Sequence, residues 1–393
     1  MALPLDGIRV VEMCQVYAGP YAAMMLADLG ADVIKLEPPE GDSNRATATA
    51  PYPGFTIPFL AFNRNKRSIV VNYQTSPGRN VAYRLFKQAD VLLIATRAAT
   101  RGRWGLTYEE VSAVNPRLIY ASITGFGEQG PDYDQPGIDL VVQARSGDAG
   151  FRHAPYGTPP SSQSLFHFDM ATSMLTVGSV ALALRQRDST GRGQKLELSL
   201  LQSALASHAV NMMRVVGTDN GGPVKNTGGQ RVYRCSDDRY IFASPIADRW
   251  PAYCRALGLD QLIEDARFDT GPKRQQNAEA LYQIVSQQLS TRPAAEWEAK
   301  LKEANEYASV VKEMAEVRDD PQVIANQMLT TFEQPGVGII ETVNTPFKMS
   351  ASAGEPWFRR PVPGLGEHTN EIVTELGYSQ KELASLRAEG AIG

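Results

Sequence analysis

The chain has 393 residues, 43% of them hydrophobic, which is enough to bury a large core and exceeds the usual size of one domain. With 39 Lys and Arg against 43 Asp and Glu the net charge is −4, so nothing in the composition favours nucleic acid, and any polyanionic ligand has to be held by local basic residues. The three cysteines, Cys14, Cys235 and Cys254, lie far apart without Cys-x-x-Cys spacing, which points to reduced thiols in a cytoplasmic setting and away from a disulfide frame or a metal site. No basic segment followed by an apolar run opens the chain, and no unbroken stretch of about 18 apolar residues occurs, so neither export nor a membrane partner is expected.

The first third alternates strand and helix patterns. Residues 8–12 read as a strand, 20–29 as a helix with Pro20 in its first turn and Gly30 past its end, and 32–36 as a strand. Next come a helix over 77–89, a strand over 91–94, a capping-box start at Thr107 and Glu110, and a strand over 118–123. Strands separated by helices predict an α/β fold whose parallel sheet is covered on both faces. The turn after the first strand, Ala18-Gly19-Pro20, matches neither GxGxxG nor GxxxxGK[ST], so it is not a dinucleotide or P-loop cradle. The basic run Asn63 to Ser68, NRNKRS, either faces phosphates or forms a wet surface.

Residues 170–187 read as one apolar helix, and Asp169 stands immediately before it, where an Asp caps the first helix amides and is stabilised by the macrodipole. After residue 206 the composition changes. A Gly/Asn/Pro-rich stretch over 217–230 reads as a linker, 240–244 as a strand, 249–328 as polar helical text, and the tail from 337 as extended chain, then a loop, a helix and a short helix. The division that follows is a large domain over 1–216, a linker and glycine loop over 217–230, a smaller α+β domain over 231–330, and a segment 331–393 returning to the large domain.

Six separated blocks carry a resemblance. They are AGPYAAMMLADLGADVIKLE at 18–37, NKRSIVVN at 65–72, NPRLIYASITGFGEQGP at 115–131, TGRGQK at 190–195, DDPQV at 319–323 and PGLGEHTNEI at 363–372. In this order they resemble class III coenzyme A transferases, the family of formyl-CoA and carnitine CoA transferases and their α-methylacyl-CoA racemase relatives. The resemblance implies a Rossmann-like large domain, an interlocked homodimer, and transfer of CoA from an acyl-CoA thioester to a free carboxylic acid. CoA is then a substrate, and no cofactor is permanently bound.

By the same resemblance Asp169 is the nucleophile that becomes an aspartyl-CoA thioester, and the helix end is expected to keep it ionised. Thr227-Gly228-Gly229-Gln230 is either the glycine loop that closes over it or a plain linker. Val16 and Ala18 match the CoA-binding turn after the first strand, and Arg97 and Arg103 match CoA-binding arginines, with a solvated loop charge as the alternative for each. The segment 94–100 reads IATRAAT, which lacks the family's Asn and aromatic contacts, so the adenine pocket must be lined differently. Two alternatives remain open. A racemase needs a base, but Gly137-Ile138-Asp139 carries Ile where that branch has His, leaving His167 as the substitute. An inert partner subunit of a heteromeric transferase is the other. Phe151, His153, Tyr156, Phe166 and His167 precede Asp169 and favour an acid with a ring or branched chain over formate or oxalate.

Overall fold

The computed structural model describes residues 3–45, 52, 54–153, 166–217, 231–246, 248–352 and 357–393. They fall into two compact units, residues 1–221 with 327–393, and residues 222–326.

The first unit is built on six parallel strands, β1 (Arg9–Met13), β2 (Asp32–Glu37), β3 (Lys66–Val70), β4 (Val91–Ile94), β5 (Ile119–Thr124) and β6 (Lys195–Ser199), in the order β3-β2-β1-β4-β5-β6. The helices that matter below are α1 (Ala18–Asp28), α2 (Ile57–Phe62), α3 (Ser76–Gln88), α4 (Ala98–Trp104), α5 (Tyr108–Val114), α6 (Asp139–Arg145), α7 (Asp148–His153) and α8 (His167–Thr190). On one face Leu85 and Phe86 of α3 pack with Ile372, Val373 and Leu386 from the C-terminal helices. On the other, Ala22, Met25 and Leu26 of α1 pack with Val177, Val180 and Leu184 of α8. Both faces are therefore covered, which is why β4 can be wholly apolar and wholly buried.

Local chemistry starts the helices where the spacing predicts. Thr75 accepts from the Gly78 amide with Pro77 in the first turn of α3, and Thr107 and Glu110 form the reciprocal capping box of α5. The three cysteines are free and buried.

The basic run 63–68 corrects the wet-surface reading: Arg64, Lys66 and Arg67 are all buried. Arg64 pairs with Asp28 at 2.6 Å, Lys66 with Glu12 at 2.7 Å, and Arg67 with Asp32, Glu371 and Glu375 at 2.7–2.8 Å. Arg64 and Lys66 are thus matched by carboxylates that are themselves buried, and Arg67 by carboxylates nearer the surface. Helix α8 is also long and apolar enough, by length and composition alone, to cross a membrane, yet half of that window is buried inside the unit.

The second unit has an antiparallel sheet of β7 (Arg231–Arg234), β8 (Tyr240–Ser244) and β9 (Tyr307–Val310), packed by Tyr233, Tyr253, Leu281 and Trp297. Strand β9 lies within text read as helical; its backbone completes the open edge of β8. A hairpin, Leu329–Gln334 with Gly338–Val343, follows in the first unit.

Candidate active site

Strand order reverses direction at β1, with β2 on one side and β4 on the other, and ligands of open parallel sheets bind beyond the carboxyl ends at such a point. A cleft of about 640 Å³ opens there, lined by the segments that follow β1, β2, β4, β5 and β6.

The turn after β1 is held in an unusual conformation. Val16, a β-branched residue, has φ 71°, which costs on the order of 1–3 kcal/mol and must be maintained by its surroundings. Its amide donates to Asp42 Oδ1 at 3.4 Å, and Asn44 Nδ2 donates to its carbonyl at 2.8 Å. Gly19 permits the tight return into α1, since a Cβ there would stand 2.2 Å from that of Cys14.

Behind the turn lies a fully buried ion network. Lys35 Nζ reaches Glu12 at 3.0 Å, Asp42 at 2.8 Å and the Cys14 carbonyl at 3.0 Å, and Lys66 Nζ reaches Glu12 at 2.7 Å. Burial alone would lower the Lys35 ammonium, but Glu12, Asp42 and Glu37 outweigh it and raise it. Burial pulls Lys66 down to about 8 despite Glu12. The Cys14 thiol is raised by burial and by Glu12, so it stays protonated.

Asp169 is placed differently from the expectation. Helix α8 begins at His167, so Asp169 is its third residue and does not cap it. The cap comes from Asp139, the first residue of α6, whose Oδ2 accepts from the Phe168 amide at 2.7 Å and the Asp169 amide at 2.9 Å, while Oδ1 accepts from Gln143 Nε2 at 2.5 Å. Asp139 is brought there by a backbone contact in which a Cβ on Gly125 would meet the Gly137 Cα at 2.7 Å.

The helix amides thus favour Asp139, and its charge works against Asp169. Burial first, then Asp139, push the Asp169 carboxyl up to about 7, which corrects the expectation that the helix end keeps it ionised. Tyr17, raised by burial and by Asp169, remains a neutral phenol. The two helix starts are tied together by Ser173 Oγ of α8, which donates to the Ala18 carbonyl of α1 at 2.7 Å.

Among the residues singled out by sequence, Val16, Ala18, Arg97, Ile138, Asp139, Phe166 and Asp169 line this one cleft. Arg103 does not; it is exposed and donates to Thr100 Oγ1 at 3.2 Å. His167 lies 3.6 Å from Asp148, outside the lining. Gly228, Gly229 and Gln230 lie outside the described residues, as does Tyr156.

Sequence reasoning missed Tyr17, stacked on Phe166 at 4.4 Å, and the pair Tyr73 and Trp104, edge to face at 4.9 Å. It also missed Arg101, buried on α4 and bound to Ser122 at 2.6 Å and Glu128 at 2.7 Å, which ties that helix to β5. The aromatic residues carry no local motif; only the fold shows that they share a cleft.

The fold and this cleft define an α/β protein with a ligand-sized cleft at the switch point of its sheet, and comparison gives the class: the chain belongs to CoA-transferase family III, which matches it over residues 5–369. It is 31% identical to the formyl-CoA:oxalate CoA-transferase of Streptomyces avermitilis, with all of both chains covered. It is 33% identical to the succinate–glutarate CoA-transferase of Agrobacterium fabrum, over 95% of this chain and 96% of the relative. At 31% it also resembles the beta subunit of the succinyl-CoA–L-malate CoA-transferase of Chloroflexus aurantiacus, over 99% and 98%. Among solved structures, a CaiB/BaiF family protein of Brucella suis superposes with a TM-score of 0.81 at 31% identity, covering 96% of this chain and 100% of that one. The protein is an enzyme of this class, acting on CoA thioesters.

Proposed function

We propose that this enzyme moves coenzyme A from an acyl-CoA to a free carboxylic acid through a covalent intermediate on Asp169. The observation that carries the reading is that Asp169 alone, of the carboxylates lining the described cleft, has neither a cation nor a hydrogen-bond donor among the described residues.

In the first step an Asp169 oxygen attacks the thioester carbonyl carbon, the C–S bond breaks, and the thiolate leaves an acyl-aspartyl anhydride. The thiolate then attacks the aspartyl carbonyl and expels the donor acid as its carboxylate, leaving aspartyl-CoA. The acceptor carboxylate attacks that thioester, the thiolate returns to the acceptor carbonyl, and Asp169 is regenerated as carboxylate. The chemistry needs the ionised form, so the raised Asp169 sets an acid limb in the rate.

Along the cleft, Arg97 is positioned to meet CoA phosphates, and Tyr73 with Trp104 offers the aromatic surface that the altered 94–100 segment lacks. Val16 and Ala18 supply backbone at the start of α1, whose dipole favours anions. Gly228, Gly229 and Gln230 are retained as the loop that excludes water from the anhydride. The same reading takes the enzyme as a cytoplasmic homodimer.

Intact-protein mass spectrometry after mixing with acetyl-CoA, succinyl-CoA and phenylacetyl-CoA should reveal a CoA adduct that maps to the peptide containing Asp169. Turnover by an Asp169→Ala variant, or turnover without any adduct that hydroxylamine can trap, would overturn the mechanism.

A further inference from the structure

We infer that the acid served by this cleft is a monocarboxylic acid with an apolar, ring-bearing body, seated on the stacked rings of Tyr17 and Phe166. The inference rests on the role of Asp169 proposed above and extends it to the substrate.

Phe166 stands at the start of α8, three positions before Asp169, and its ring lies 4.4 Å from that of Tyr17 with an interplanar angle of 23°. Tyr17 is backed in turn by Phe62, edge to face at 5.6 Å, and Phe62 by Tyr21 at 5.1 Å. The wall is therefore fixed from behind, while Tyr17 and Phe166 are only half-buried and line the cleft. Ile138, 59% exposed although apolar, lines the same cleft. A planar apolar body gains from covering such surfaces.

Charge gives an independent argument. The charged residues among the described lining are Glu37, Asp42, Asp139, Asp169 and Arg97. Glu37 and Asp42 are already paired with Arg45 and Lys35, and Asp139 accepts from the α8 amides. Arg97, the one cation in that set, is on the segment that carries Trp104 and is taken by the CoA phosphates. A dicarboxylic acid would bring a second carboxylate into a cleft whose described lining has no further cation to pair it, and an unpaired charge removed from water is strongly disfavoured. Relatives named for oxalate, glutarate or malate act on acids of that kind; this cleft selects against them.

Of the aromatic residues expected from the sequence to shape the pocket, Phe166 does so. Phe151 instead packs edge to face against His208 at 6.0 Å, and His167 sits by Asp148.

The test is a matrix of acetyl-CoA, succinyl-CoA and phenylacetyl-CoA against acetate, phenylacetate, 3-phenylpropionate, oxalate, succinate and glutarate, using the full-length enzyme. Phenylacetate or 3-phenylpropionate should exceed every dicarboxylate at least 100-fold in kcat/KM. Tyr17→Leu should shrink that ratio at least tenfold, and Tyr17→Phe should preserve it. Transfer that prefers a dicarboxylate, or a ratio that Tyr17→Leu leaves unchanged, overturns this inference and leaves the transferase reading standing. Absence of transfer for every pair removes both.

Discussion

Two sets of buried carboxylates border the cleft. Behind the turn after β1, Glu12, Glu37 and Asp42 each have a cation within 3.0 Å, and the strained Val16 depends on Asp42. At the start of α8, Asp169 is buried beside Asp139 with no cation among the described residues, and its carboxyl is pushed up to about 7 by burial and that neighbour. The first arrangement spends its charges on shape. The second keeps a carboxylate poorly stabilised, and poor stabilisation of the ionised ground state is what a nucleophile can give up in reacting.

The largest expected effect separates the two sets directly. Asp169→Asn should lower kcat by at least about 10³, measured by CoA transfer, because the proposed covalent route loses its nucleophile. Glu12→Ala should leave the protein about 3–5 kcal/mol less stable in urea, since Lys35 and Lys66 lose their shared partner. A loss below about 1 kcal/mol would show that the network is not what holds the turn.

Stability should respond oppositely at Asp169. An unfolded carboxyl ionises near 4 and the folded one at about 7, so the stability present below pH 4 declines as pH rises through 7. Asp169→Asn removes this decline and should be more stable than wild type at pH 8, on the order of 2–4 kcal/mol by chemical denaturation. Equal stability at pH 8 would mean that Asp169 is compensated in solution.

Smaller effects sharpen the picture. Arg97→Ala should weaken CoA binding by about 1.5–3 kcal/mol in calorimetry. Arg103→Ala should cost less, because that side chain is exposed, outside the cleft lining and bound to Thr100. Asp139→Asn keeps an acceptor for the α8 amides but removes the like charge. The acid limb of kcat, expected near pH 7 in wild type, should move to lower pH, with stability changed by only about 1 kcal/mol.

Much of the sheet was legible because its strands are short apolar runs separated by helix punctuation: Val91–Ile94 can hardly be anything else. Strand β3 was not, since its first residues are Lys66 and Arg67 and a basic run ordinarily means water. Their partners, Glu12 on β1 and Asp32 on β2, lie on other strands of the sheet, and register is not written locally. Asp169 was visible from its helix and the resemblance, but the true start of α8 was not. Phe166, His167 and Phe168 are poor capping residues, and the cap comes from Asp139, nearly thirty positions upstream.

The discontinuity of the first unit bears on how the chain is made. Residues 363–393 pack Ile372, Val373 and Leu386 against the sheet, and Ile392 bridges Val71 beside β3. A ribosome produces that segment after the whole second unit, which is continuous in sequence. The nascent sheet therefore waits with part of one face bare until synthesis has passed residue 386, an interval in which chaperones have an apolar surface to recognise.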